Sequence, residues 1–284
     1  MSARGRDARR PQGLRRSGHE ARADGGLRQP REGKIPSGAR PPSGPVILYG
    51  WHTVKAALAN PRRRIRKLFA TANAIRRLAA EGISLPIEPV LTRPDAIARL
   101  LPPDAVHQGL LAEADPLAVR SIEDLEPDGI VLLLDQITDP HNVGAILRTA
   151  GAFAVAAVVA TTRHSPEATG VLAKAASGAL EHVPIVEVPN LARALGAIKA
   201  RGFLVVGLDS EATTDLAATP LAAPLALVLG AEGKGLRQLT RATCDRLARL
   251  TLPGRIKSLN VSNAAALALY VATTRLNPPQ SWPS

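Results

Sequence analysis

Between residues 129 and 276, short apolar runs alternate with longer stretches in which apolar positions recur every three or four residues. This is the pattern of strands and helices taken in turn. The run IVLLLD at 130–135 is apolar almost throughout, as a strand covered on both faces must be. Further strands are predicted at 154–160, 182–188, 203–209, 225–230 and 247–252. Helices are predicted at 142–153, 166–178, 191–201 and 236–244, with a last one at 261–276. Such alternation predicts an α/β fold, with a mostly parallel sheet and helices on both faces.

The same alternation continues upstream on a smaller scale. Helices at 51–59, 73–81 and 93–101 and strands at 65–70, 87–90 and 109–112 predict a compact α/β module over 46–114. The basic cluster Arg62, Arg63, Arg64, Arg66 and Lys67 fits an RNA backbone contact, or simply a solvated face. Residues 115–128, with two prolines and five acids, read as a linker on which the two modules move. Residues 277–284 read as a short C-terminal tail.

Charge singles out the start of the chain. Residues 1–45 hold 11 Lys/Arg against four Asp/Glu, a net +7 of the chain's +12, with eight glycines and six prolines. So few apolar groups cannot offset the entropy of ordering, which predicts a disordered basic tail. Such an arm attracts phosphates at long range, although a merely solubilising tail reads the same way. A mitochondrial transit peptide is opposed by the four acids and the lack of an amphipathic stripe.

Composition excludes several chemistries. Cys244 is the only cysteine, so neither a disulfide framework nor a cysteine-rich zinc site is expected. The six histidines lack metal-ligand spacing, and no metal is expected. No run approaches a membrane span and no signal core follows the N-terminus, so a cytoplasmic protein without membrane contact is expected. GKGLRQ (233–238) lacks the third glycine of a dinucleotide fingerprint, and Lys234 precedes Gly235 where a P-loop needs Ser or Thr.

The candidate chemistry lies in three loops. DQITDPHNVGAILRTA (135–150) follows the first strand directly. It offers Asn142 as a helix N-cap and Arg148 nearly two turns on, at the sheet end where open α/β folds place ligands. Taken alone, this segment fits an ordinary strand-to-helix turn equally well. LVLGAEGKGL (227–236) runs from a strand into a glycine-rich turn with Glu232 at its tip. LPGRIKSLNVSNAAALALY (252–270) holds Ser258, Asn260, Ser262 and Asn263 before the last helix, where Asn260 and Ser262 also have a purely capping reading.

In order and spacing, these blocks resemble the three motifs of the SpoU/TrmH-type 2′-O-ribose methyltransferases, in the SPOUT superfamily of RNA methyltransferases. The resemblance covers 129–276. LYGWHTVKAAL (48–58) and AVHQGLLA (105–112) resemble the two ends of the L30e-like substrate-binding domain in members that act on a guanosine of 23S rRNA. The resemblance implies a trefoil knot, a homodimer through the knotted domain, and S-adenosylmethionine (S-adenosyl-L-methionine) as cofactor. It implies cofactor contacts at Gly230 and Leu259, an apolar wall at Ile256, and a contact at Leu250 or Leu252. The last alternative stays open because Leu252-Pro253 lies two residues closer to SLN than in many relatives.

The implied reaction is attack of a ribose 2′-hydroxyl on an activated methyl, which asks the protein for alignment and for stabilisation of a developing alkoxide. Arg148 is the implied central residue. A guanidinium with a pKa above about 12 is a poor base, so its expected part is to clamp phosphate and lower the hydroxyl pKa. Asn142 would orient the arginine or the RNA, and Glu232 the loop, while Ser258 and Asn260 would bind ribose and phosphate. Ala264, Ala265, Ala266, Ala268 and Ala272 give the last helix a smooth face for a second copy or for an intrachain neighbour. The expected substrate is 23S rRNA. The alternatives are a tRNA ribose methyltransferase and a non-catalytic RNA-binding or ribosome-assembly protein.

Overall fold

A computed structural model describes residues 44–118, 120–162 and 170–277. Nearly all of the expected tail, residues 278–284 and the start of the helix expected at 166–178 lie outside the described residues.

The upstream module folds as β1 (Val46–Tyr49), α1 (Trp51–Ala59), β2 (Ile65–Ala70), α2 (Ala72–Ala80), β3 (Val90–Leu91), α3 (Pro94–Ala98) and β4 (Leu110–Ala114). Its sheet has the order β1-β4-β2-β3, with β4 antiparallel to both neighbours and β3 parallel to β2. Leu48, Trp51, Val54, Leu68, Leu78 and Leu110 fill its core. Thr71 caps α2 by accepting from Ala74 N at 3.3 Å, satisfying one of the amides a helix start leaves free. β1 was not expected from the pattern. The strand expected at 87–90 shrinks to the edge pair Val90–Leu91, because Pro89 brings no N–H to a ladder.

The second module continues with β5 (Ile130–Asp135), α4 (Pro140–Ala152), β6 (Ala157–Thr161), α5 (Gly170–Ala176), β7 (Ile185–Val188), α6 (Leu191–Ala200), β8 (Leu204–Leu208), β9 (Leu225–Gly230), α7 (Gln238–Thr243), β10 (Arg246–Ala248) and α8 (Val261–Leu276). The strands stand in the order β10-β8-β9-β5-β6-β7, and every neighbouring pair is parallel. Alternation along β5 divides the core. Leu132 and Leu134 face the helices α4, α5 and α8, whereas Val131 and Leu133 face α6. Burying each such side chain contributes about 1.5–3 kcal/mol.

Four strands of this module are shorter than the pattern suggests, β7 and β10 most of all. β7 starts late because Ala179–Glu181 winds into a 3₁₀ turn. β10 ends at Ala248 because the chain then pairs with the loop after β8: Arg249 N donates to Thr214 O at 2.9 Å, and Leu216 N to Arg249 O at 2.8 Å.

The segment expected to be a free linker is packed down. Ile122 and Leu125 are buried against the second module, and Arg120 bridges Val186. Two of its acids make local bonds: Asp124 closes a capping box with Ser121, and Asp128 accepts from Gly129 N at 2.6 Å. The basic cluster changes meaning too. Arg63 is buried in an ion pair with Glu181, so it is not an RNA contact, while Arg64, Arg66 and Lys67 remain at the surface in exposed pairs with Asp115 and Glu113.

In α8, Ala265, Ala268 and Ala272 are buried with Val261 and Leu269 in the module's own core. The smooth alanine face is therefore used within the chain. Leu267 and Tyr270, 45% and 60% exposed, point the other way. Among the described residues no helix is long and apolar enough to cross a membrane.

Candidate active site

β5 and β9 are adjacent and parallel, so the loops that leave their carboxyl ends emerge side by side. The first loop starts at Asp135, which is fully buried. It accepts from Arg237 N at 3.0 Å and pairs with Arg237 Nε at 2.6 Å, tying the first motif to the end of the second. Gln136 follows with φ 61°, a left-handed backbone unusual for a residue with a side chain and of the kind found where a site imposes strain. No role was assigned to either residue from the sequence. The only signal was an acid at the end of an apolar strand.

The helix start differs from the expectation. Asp139, not Asn142, caps α4, accepting from His141 N at 3.0 Å, and Pro140 occupies the first turn, where its missing N–H costs nothing. Asn142 thus lies inside the first turn with its amide free to act elsewhere. Asn142 Nδ2 donates to Glu232 Oε1 at 3.2 Å, and Asn142 Oδ1 accepts from Asn260 Nδ2 at 2.9 Å. Glu232 Oε1 also accepts from Val261 N at 3.1 Å, at the head of α8. Asn260 does cap α8, through Ser262 N at 2.8 Å, so its capping and site readings hold together. One network of side chains therefore joins all three motif loops.

These groups open on a cavity of about 460 Å³, whose wall includes Gln136, Thr138, Asn142, Glu232, Lys234 and Val261. Two other candidates are not drawn into the network. Arg148 lies six residues beyond Asn142, about 9 Å along the helix at 1.5 Å per residue. It is exposed and, among the described residues, has no hydrogen-bond or ion-pair partner. Ser258 is exposed on its loop. Cys244 takes no part in the network: burial, helped by the charge of Asp245, pushes its thiol up to about 12, which leaves it unreactive.

Comparison with known proteins then decides the family. Residues 129–270 match the model of the SpoU rRNA Methylase family, and residues 47–119 match that of the RNA 2′-O ribose methyltransferase substrate-binding domain. The chain belongs to the SpoU rRNA methylase family. Among curated SpoU relatives, the 23S rRNA (guanosine-2′-O-)-methyltransferase RlmB of Pseudomonas aeruginosa is 39% identical over 249 residues, covering 81% of this chain and 97% of that protein. A solved TrmH-family structure from Porphyromonas gingivalis is 30% identical with a TM-score of 0.68, covering 82% of this chain and 90% of that one. The SpoU methyltransferase AviRb of Streptomyces viridochromogenes, solved with AdoMet, shares the fold at 23% identity and a TM-score of 0.69, with the same coverage.

The residues expected to contact S-adenosylmethionine differ in how well their surroundings fit it. A Cβ on Gly230 would stand 2.2 Å from Gly235 C and 2.4 Å from its oxygen. The turn over the end of β9 therefore lies backbone against backbone, closed by Gly235 N donating to Ala231 O at 2.8 Å. Leu250, Leu252 and Leu259 are half-buried nearby in sequence to the site loops, Leu250 against the main core. A glycine turn with apolar side chains suits the adenosine part of such a sulfonium ligand. Ile256 is 78% exposed and does not form the apolar wall expected of it. Among the described residues no three His, Cys, Asp or Glu side chains cluster as metal ligands.

Proposed function

We propose that the chain transfers a methyl group from S-adenosylmethionine to the 2′-hydroxyl of a guanosine ribose in 23S rRNA. The observation that carries this reading is the Asn142–Glu232–Asn260 network, set in a chain 39% identical to a 23S rRNA guanosine 2′-O-methyltransferase. When bound, S-adenosylmethionine supplies a methyl already activated on a sulfonium, so the protein's own task is alignment. Gly230, Leu259 and either Leu250 or Leu252 would hold it.

Asn142, Glu232, Ser258 and Asn260 are assigned to orienting the ribose and its phosphate. Asn142 keeps a second amide hydrogen beyond the one given to Glu232, and Glu232 Oε2 has no partner among the described residues. Asn142 and Glu232 line the cavity itself. Arg148 is assigned to the target phosphate, where a planar fork binds two oxygens and its charge favours the alkoxide.

A homodimer is part of the same reading. α8 packs against α4, the helix that carries Arg148, and presents Leu267 and Tyr270 to solvent. A second copy seated there would bring a neighbour towards the otherwise unpartnered arginine. The upstream module is read as an L30e-like RNA-binding domain over 46–114, the linker as 115–128, and the methyltransferase domain, with its trefoil knot, as 129–276. The cytoplasm is read as the place of action.

Titration calorimetry on the full-length protein tests the cofactor assignment. S-adenosylmethionine should bind without added metal or nucleoside triphosphate. Binding that required either would count against the methyltransferase reading.

A further inference from the structure

The two sequence signatures of the upstream module, around Trp51 and Gln108, face the second module. Gln108 sits in the left-handed region at φ 53°, and its Oε1 accepts from Trp51 N at 3.0 Å and from Lys174 Nζ of α5 at 3.2 Å. Thr53 Oγ1 donates to Ala173 O at 3.1 Å in a buried contact. Farther along the same segment, Glu181 enters the upstream module. Arg63 Nε donates to both of its carboxylate oxygens at 3.1 Å, Arg63 Nη2 to Oε1 at 2.7 Å, and Asn60 Nδ2 to Oε2 at 2.7 Å. The remaining Arg63 group, Nη1, donates to Asp115 O at 2.8 Å.

The Arg63 and Glu181 side chains are only 5% and 2% exposed. Between the two contacts, Gly178 (φ 93°) lets the chains touch: a Cβ there would stand 2.8 Å from Ala56 Cβ and 3.1 Å from His52 O. A buried ion pair is tolerable only when its geometry is good and its donors and acceptors are met. Here both carboxylate oxygens have donors, and a planar fork on a carboxylate does not survive a slide of about 1 Å. The modules therefore meet in one setting, pinned at Lys174 and at Glu181. The pinned helix α5 packs directly on α4, which carries Asn142.

We propose that Lys174 and Glu181 are positioning residues for rRNA selection. Through Gln108 and Arg63 they hold the RNA-binding module at a fixed distance and angle from the cavity, so that RNA seated on the module delivers one nucleotide to Asn142 and Glu232. The proposal rests on the rRNA methyltransferase reading.

The test compares full-length wild type with Glu181→Ala, Lys174→Met and the double variant Arg63→Met/Glu181→Met. The measurements are rates against 23S rRNA concentration at saturating S-adenosylmethionine, the position methylated, and cofactor affinity by calorimetry. Glu181→Ala should raise KM for RNA about tenfold or more and spread methylation to neighbouring nucleotides, with cofactor affinity held within about twofold. The paired methionine variant should recover KM and site choice, since an apolar pair can replace a buried ion pair. Should Glu181→Ala fail to fold, Lys174→Met, at the half-exposed edge, must still raise KM and loosen site choice.

Unchanged KM and site choice in the single variants would overturn the proposal. So would a joint fall of kcat and cofactor affinity, which would make the contacts a prop for the catalytic fold. If wild type itself methylates no rRNA, the methyltransferase reading fails and takes the proposal with it, an outcome distinct from active enzyme with indifferent variants.

Discussion

Glu232 Oε1 accepts from Asn142 Nδ2 at 3.2 Å, so the tip of the second motif holds the first turn of α4. The same oxygen accepts from Val261 N at 3.1 Å, and an anion at the head of a helix is favoured there by about 0.3–1 kcal/mol. One carboxylate thus sets the spacing of the loops among which the reaction is placed.

Glu232→Ala should therefore cost far more activity than stability. Removing the acceptor leaves Asn142 and the head of α8 to drift, and a misplacement of about 1 Å at a reacting centre is worth about 100-fold in rate. Glu232→Gln keeps an oxygen for both donors and should lose less. Steady-state kinetics beside thermal melts will check this. Equal rate losses in the two variants would assign the effect to the charge instead of to the hydrogen bonds.

Arg148→Ala should abolish methyl transfer while leaving S-adenosylmethionine affinity nearly unchanged, because the arginine is exposed and outside the loops assigned to the cofactor. Arg148→Lys should not restore the rate, since an ammonium lacks the planar fork. Substantial turnover in the alanine variant would remove Arg148 from the central place.

Much of this arrangement was legible in the sequence because it rests on repeating patterns. The apolar runs at 130–135 and 225–230 marked two strands with their bounds, and the loops after them held Asn142 and Glu232, although only the structure makes the strands neighbours. What escaped depends on contacts between distant residues. Nothing near Arg63 announces Glu181, 118 residues away, so a buried pair read as part of a basic surface patch. The helix cap at Asp139 was missed because Asn142 is an equally good capping residue, and only Pro140 at the helix start decides between them. The alanines of α8 could not show whether their neighbour lay in the same chain.

Asp215 offers a test through pH. Hydrogen bonds from the Thr251 side chain, then from Ala217 N and Thr251 N, hold its carboxyl below the usual range, and they fix the segment on which Leu250 lies. A depressed folded pKa gives stability that is present above the unfolded value, near 3.9, and is lost as pH falls through the folded pKa. Asp215→Asn should lower stability slightly at neutral pH, by less than about 1 kcal/mol because solvent screens the group, with the gap to wild type closing below about pH 4. Urea titrations across that range will show it. A gap independent of pH would mean that the carboxylate's charge adds nothing.

Mapping 2′-O-methyl groups after purified protein and S-adenosylmethionine have acted on unmodified 23S rRNA, with unmodified tRNA in parallel, bears most directly on the function. One guanosine of 23S rRNA should gain the methyl, and the tRNA none. Methylation of tRNA in its place, or no transfer to either RNA by protein that binds both cofactor and RNA, would contradict it.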